Sequence, residues 1–174
     1  HSSAGREVWR QRVFQLLEDV SLPANEDFLG RRPRELSVGI AQRVLIAMSV
    51  LHRPSLLIAD EPTSALDVIT QSETLKLFQG MNVRFGMAIL FISHDLLAVA
   101  SLCRRVAILH RGTIVETGQT ANVFANPIHP YTAKLIQSLP GLPQAAATDD
   151  LLRLAAATLT EDVPIGDAIS RETR

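Results

Sequence analysis

Two adjacent carboxylates, Asp60 and Glu61, close the apolar run Leu56-Leu57-Ile58-Ala59. A carboxylate at the end of such a run is the type of group that holds Mg²⁺ beside nucleotide phosphates, directly or through a water. Its neighbour Glu61 can orient or deprotonate an attacking water. A second apolar run, Met87 to Ile92, ends in Ser93-His94-Asp95, and an imidazole delivered there can hydrogen-bond a phosphate oxygen. Upstream, Glu35-Leu36-Ser37-Val38-Gly39-Ile40-Ala41-Gln42-Arg43 reads as a Ser- and Gly-bearing helix start. The free N–H groups and positive dipole end of such a start attract anions. Taken singly, each feature also suits a structural role: an acidic turn, an incidental histidine, an ordinary capped helix. Their convergence points to phosphate chemistry.

The elements that position these residues follow from pattern. The run before Asp60 is short, apolar and bracketed by Pro54 and Pro62, which predicts a strand buried on both faces. Its end would then lie at the rim of a parallel sheet, where open α/β sheets bind ligands. Val8, Val13, Leu16, Leu17 and Val20 fit one face of a helix over residues 6–20. Residues 21–34, with Pro23, Gly30 and Pro33, read as a loop. Ser37 is a good N-cap for the next helix, with Val44, Leu45, Met48 and Leu51 as its buried face and Pro54 as its stop. Asp67 can cap a further helix through about Phe85, ended by Gly86. Asp95 can cap a short helix through Cys103. Val106–Leu109 and Thr113–Glu116 predict two strands turning at Arg111-Gly112, followed by helical pieces near Ala121–Ala125 and Tyr131–Leu139. Strands alternating with helices give the α/β class with parallel strands. Beyond Pro143 the tail is Ala-rich, and Leu151, Leu152 and Leu154 could open an amphipathic helix or belong to a frayed terminus.

Composition narrows the function classes. The 174 residues are 47% hydrophobic and 20% charged, the balance of a globular domain with its own core. A net charge of −1 supplies no general attraction for nucleic acid. The single cysteine, Cys103, excludes an internal disulfide and a multi-cysteine metal site, and reads as a small core residue in a reducing setting. The longest apolar stretches, Val44–Leu51 and Met87–Ile92, are too short to span a bilayer, so a membrane role would be peripheral.

Read together and in this order, the motifs resemble the ATP-binding cassette family, the ATPase subunits of ABC transporters. The likeness runs over about residues 7–143. It consists of the signature helix at Leu36–Arg43, the Walker B strand Leu56–Glu61, the D-loop Ser64-Ala65-Leu66-Asp67 and the switch histidine His94. Gly118, Phe124-Ala125-Asn126-Pro127, His129-Pro130-Tyr131-Thr132 and Ser138-Leu139-Pro140-Gly141 are similar to ATPases that serve importers of dipeptides, oligopeptides and nickel. The cysteine-rich C-terminal segment of many members is absent here. The resemblance implies a partial P-loop NTPase fold: a helical-subdomain remnant with the signature helix over 6–53, the C-terminal part of the ATPase core over 54–143, and a helical or disordered tail over 144–174. It implies ATP and Mg²⁺ as cofactors, with Asp60 on the metal, Glu61 as catalytic base and His94 at the γ-phosphate. Ser37 and Gly39 would reach ATP across a dimer, and Asp67 would sit at the dimer contact. The implied partners are a second ATPase subunit, identical or not, and transmembrane permease subunits. The implied location is cytoplasmic, on the inner face of the cell membrane.

The sequence departs from the family pattern in three places. The phosphate loop Gly-x-x-x-x-Gly-Lys-Ser/Thr does not occur, because the only lysines are Lys76 and Lys134. The glutamine-bearing loop before the signature also has no counterpart, so the chain is expected to begin within the helical subdomain. The signature Leu-Ser-Gly-Gly-Gln stands as Leu36-Ser37-Val38-Gly39-Ile40. Val38 places a branched side chain where close approach to phosphate favours none, and Ile40 replaces an amide. Three roles fit: part of an ABC ATPase unable to hydrolyse ATP alone, a non-catalytic module docking on a complete cassette or membrane subunit, or a decayed, truncated product. Sheet edges and apolar surface are expected to be uncovered, with poor stability in isolation.

Overall fold

Capping chemistry sets most of the element boundaries. A computed structural model describes residues 3–139. The tail over 144–174, with its leucines, and Pro140-Gly141 lie outside the described residues. Helix α1 (Ser3–Asp19) is followed by a short α2 (Glu26–Leu29) and a 3₁₀ turn (Pro33–Glu35) inside the segment expected to be loop. Asn25 starts α2 by accepting the Phe28 N–H at 2.8 Å, and buried Phe28 anchors it to the core. Its length, a single turn, left no periodicity to read.

Helix α3 (Val38–Val50) is capped by Ser37, whose Oγ accepts the Ile40 N–H at 3.3 Å, and it stops ahead of Pro54. Its buried face is Ile46, Ala47 and Val50, whereas Leu45 and Met48 are exposed. The face expected from sequence is thus turned: so many positions of α3 are apolar that two different stripes satisfy helical spacing, and packing selects the one facing α1.

Strand β1 (Leu56–Asp60) leads to α4 (Val68–Phe85), capped by Asp67 and ended by Gly86 at φ 61°. Strand β2 (Ala88–Ile92) returns parallel to β1, with Ile58 opposite Leu90 and Asp60 opposite Ile92. Only one face of this pair is covered. Leu57 and Ala59 are buried and Ile89 and Phe91 half-buried, while Leu56, Ile58, Leu90 and Ile92 are exposed. The expectation of burial on both faces fails because, among the described residues, a layer packs on only one side of the pair. The uncovered apolar surface itself is as expected.

Helix α5 (Leu96–Leu102) then leads to β3 (Arg105–His110) and β4 (Thr113–Gln119), an antiparallel hairpin. Arg111 and Gly112 have φ of 48° and 77°, the paired positive values of a type I′ turn, which glycine adopts without penalty. Helices α6 (Thr120–Ala125) and α7 (Pro130–Gln137) complete the described chain. The sheets are therefore one parallel and one antiparallel pair among the described residues, within an α/β fold. Two apolar clusters result. One joins α1–α4 to β1 and β2 around Val20, Val50 and Phe78; the other joins α5, β3, α6 and α7 around Ile108 and Phe124. Among the described residues, no helix is long and apolar enough to cross a membrane.

Candidate functional site

The ends of β1 and β2 meet, and the chain reverses there in a way that aims two side chains at each other. Glu61 adopts φ 47°, a left-handed conformation that costs a non-glycine residue free energy. Its N–H donates to the Ile92 carbonyl at 2.9 Å, so the strand pairing runs one residue past β1. Its own carbonyl accepts the Ser64 hydroxyl at 3.1 Å, which closes the turn that follows. In this posture Glu61 Oε1 accepts the His94 backbone N–H at 3.0 Å and meets His94 Nδ1 at 2.8 Å. The two residues expected to act on an attacking water and a phosphate are thus in direct contact.

The hydrogen bond and negative charge of Glu61 hold the His94 imidazole above its ordinary value. Because the folded-state value is raised, the stability contributed by the charged pair is fully present below the ordinary imidazole value and is lost as pH rises through the raised one. His94 is therefore expected to titrate at higher pH than its Glu61→Gln counterpart. Imidazole chemical shifts followed by NMR would check this, and coincident titration curves would count against the pairing.

Asp60 lies on the exposed face of β1, in line with Leu56 and Ile58. Among the described residues its carboxylate has no hydrogen-bond or salt-bridge partner. Nor do the described residues gather three or more metal-binding side chains. A lone carboxylate suits Mg²⁺, which takes one or two protein carboxylates and draws its other ligands from water and phosphate oxygens.

Ser37, Gly39 and Asp67 form a second group. Asp67 Oδ1 accepts the Ile69 and Thr70 N–H groups at 3.1 and 3.0 Å, and Oδ2 accepts the Thr70 hydroxyl at 2.7 Å. The Thr70 bonds hold its carboxyl below the usual range. Thr70, so fixed, packs against Gly39: a Cβ there would fall 2.7 Å from Thr70 Cγ2. Glycine is thus required by contact within the chain. Ile40 packs against the first apolar cluster, which accounts for an apolar residue at that position, while Val38 is exposed.

Sequence reasoning expected Asp95 as a cap but missed Thr70, Gln71 and the bond that links the two sets. Asp95 Oδ1 caps α5 through the Leu97 and Ala98 N–H groups at 2.9 and 3.2 Å, and its Oδ2 accepts Gln71 Nε2–H at 2.5 Å. Thr70 was legible as the third residue after a capping aspartate. Gln71 was legible as a polar side chain sharing a helix face with buried Leu75 and Phe78.

Comparison with known proteins finds similar chains. The family described as ABC transporter matches residues 3–64, and that described as oligopeptide/dipeptide transporter, C-terminal region, matches residues 115–165. The oligopeptide transport ATP-binding protein OppD of Bacillus subtilis is 44% identical over 142 residues, covering 82% of this chain and 40% of that protein. The structure of cbiO1 from Clostridium perfringens, part of the ABC transporter complex cbiONQ, aligns with a TM-score of 0.60 at 31% identity over 75% of this chain and 50% of that one. A dimeric bacterial ABC transporter cassette aligns with a TM-score of 0.57 at 29% identity over 69% of this chain and 49% of that one. The chain spans well under half the length of the curated relative.

Proposed function

Because the chain belongs to the ABC transporter ATPase family, we propose that it is part of an ATP-hydrolysing subunit that drives import of peptides or of related solutes such as nickel. The observation that carries this reading is the Glu61–His94 contact at the adjoining ends of two parallel strands, with Asp60 beside it. Glu61 would orient and deprotonate the attacking water, and His94, whose Nδ1 meets that carboxylate, would hydrogen-bond the γ-phosphate. Asp60 would hold Mg²⁺, which supplies neutralisation of phosphate charge when bound. Ser37 and Gly39 offer the start of α3 to ATP on a second ATPase subunit, and Asp67 shapes that contact by fixing Thr70. The working arrangement is a pair of ATPase subunits on transmembrane permease subunits, at the cytoplasmic face of the membrane. The peptide class is supported by the match over residues 115–165. The boundaries at residues 53 and 143 belong to the same proposal.

A second reading is a non-catalytic module docking on a complete cassette. The uncovered face of Leu56, Ile58, Leu90 and Ile92 favours it. ATP hydrolysis separates the two. The chain alone is expected to show no magnesium-dependent turnover, and to gain it when combined with a cassette segment that carries a phosphate loop. Stable association without turnover would select the docking module; turnover by the chain alone, abolished by Glu61→Gln, would show that it binds phosphate by another route.

A further inference from the structure

The position of His94 depends on what holds the segment between β2 and α5. On one side Ile92 is paired to β1. On the other, Asp95 fixes both the start of α5 and the turn itself, since its N–H donates to Ser93 Oγ at 3.0 Å while its Oδ1 caps the helix. That leaves Oδ2, and it is bound by a residue from a different element. Gln71 lies one turn into α4, its N–H bonded to the Asp67 carbonyl at 2.8 Å. From there its side-chain amide reaches Asp95 Oδ2 at 2.5 Å. The result is a continuous hydrogen-bonded line from the Asp67 cap, along the first turn of α4, through Gln71 and Asp95, to the residue next to His94.

We infer that Gln71 is a positioning residue, locking the turn that presents His94 to Glu61 and tying it to the Asp67 turn. The inference rests on the ATPase reading for its meaning but not for its geometry. Three features support it over simple helix docking. Gln71 is a half-buried amide on the face of α4 that otherwise buries Leu75 and Phe78, so an apolar residue would pack at least as well. Its acceptor is charged, which makes the bond stronger than one between neutral groups. Helix α4 also already has a separate tie to α5, Gln79 Nε2–H to the Ser101 carbonyl at 3.2 Å, remote from the His94 turn. Holding the helices together therefore does not by itself require Gln71.

The test follows exchange of the His94 backbone N–H, which donates to Glu61 Oε1, by NMR on the 174-residue chain without nucleotide. Gln71→Met keeps length and removes the donor; it is expected to speed exchange by about tenfold, the loss of one hydrogen bond to a charged acceptor. Gln71→Lys supplies a donor to Asp95 and is expected to restore the slow rate. Gln79→Met, on the same helix, is expected to leave it unchanged. An unaltered rate in Gln71→Met, or equal acceleration in Gln79→Met, would overturn the assignment. Neither result depends on ATP turnover, so failure here is distinct from failure of the ATPase reading.

Discussion

Glu61→Gln is expected to lower ATP turnover of the assembled cassette by about 10²–10⁴-fold, the usual contribution of a positioned general base, while nucleotide still binds. The substitution is nearly isosteric. Its amide oxygen can keep accepting the His94 backbone N–H, now made at 3.0 Å, and the left-handed backbone at residue 61 is untouched. What is lost is the ability to take a proton and the negative charge that holds the imidazole up. Turnover and nucleotide affinity, measured side by side, separate this from a folding defect. Turnover that stays within about tenfold of the parent would remove Glu61 from the role of base. A drop in affinity of the same size would make it a binding residue instead.

The acidic pair, the histidine and the helix caps were legible in the sequence because each rests on a local rule. Asp67, Ser37 and Asp95 cap the helices they were expected to cap, since an oxygen two or three residues before free N–H groups needs no tertiary context. The Arg111-Gly112 turn was legible for the same reason. What failed was orientation. Leu45 and Met48 were assigned to the core and are exposed, because the apolar positions of α3 are too many to define one stripe. Leu56 and Ile58 were assigned to a strand covered on both faces, yet periodicity in a five-residue run cannot say how many layers pack on it. Gly39 matched a motif, but the close contact that demands glycine, with Thr70 on another helix, is long-range. The same holds for the Gln71–Asp95 bond, which joins residues 24 apart.

Phe78→Ala is expected to have the largest effect on stability, about 3–5 kcal/mol. Phe78 is 1% exposed at the centre of the first apolar cluster. Its ring meets Phe91 of β2 edge-on, with centroids 5.9 Å apart and planes at 78°, so truncation loses an aromatic pair as well as buried area. A domain of this size has about 5–15 kcal/mol in all, and among the described residues the β1–β2 pair has only one covered face from which to draw its share. Removing Phe78 takes away the aromatic partner of Phe91, three residues before His94. Denaturant unfolding should therefore show a markedly lower midpoint, and the His94 amide should lose protection along with it. Val83→Ala on the same helix, where the side chain is 84% exposed, should change stability by no more than about 0.5 kcal/mol. If the two variants unfolded alike, the face of α4 that packs on the strands would not be what holds the Glu61–His94 pair in place.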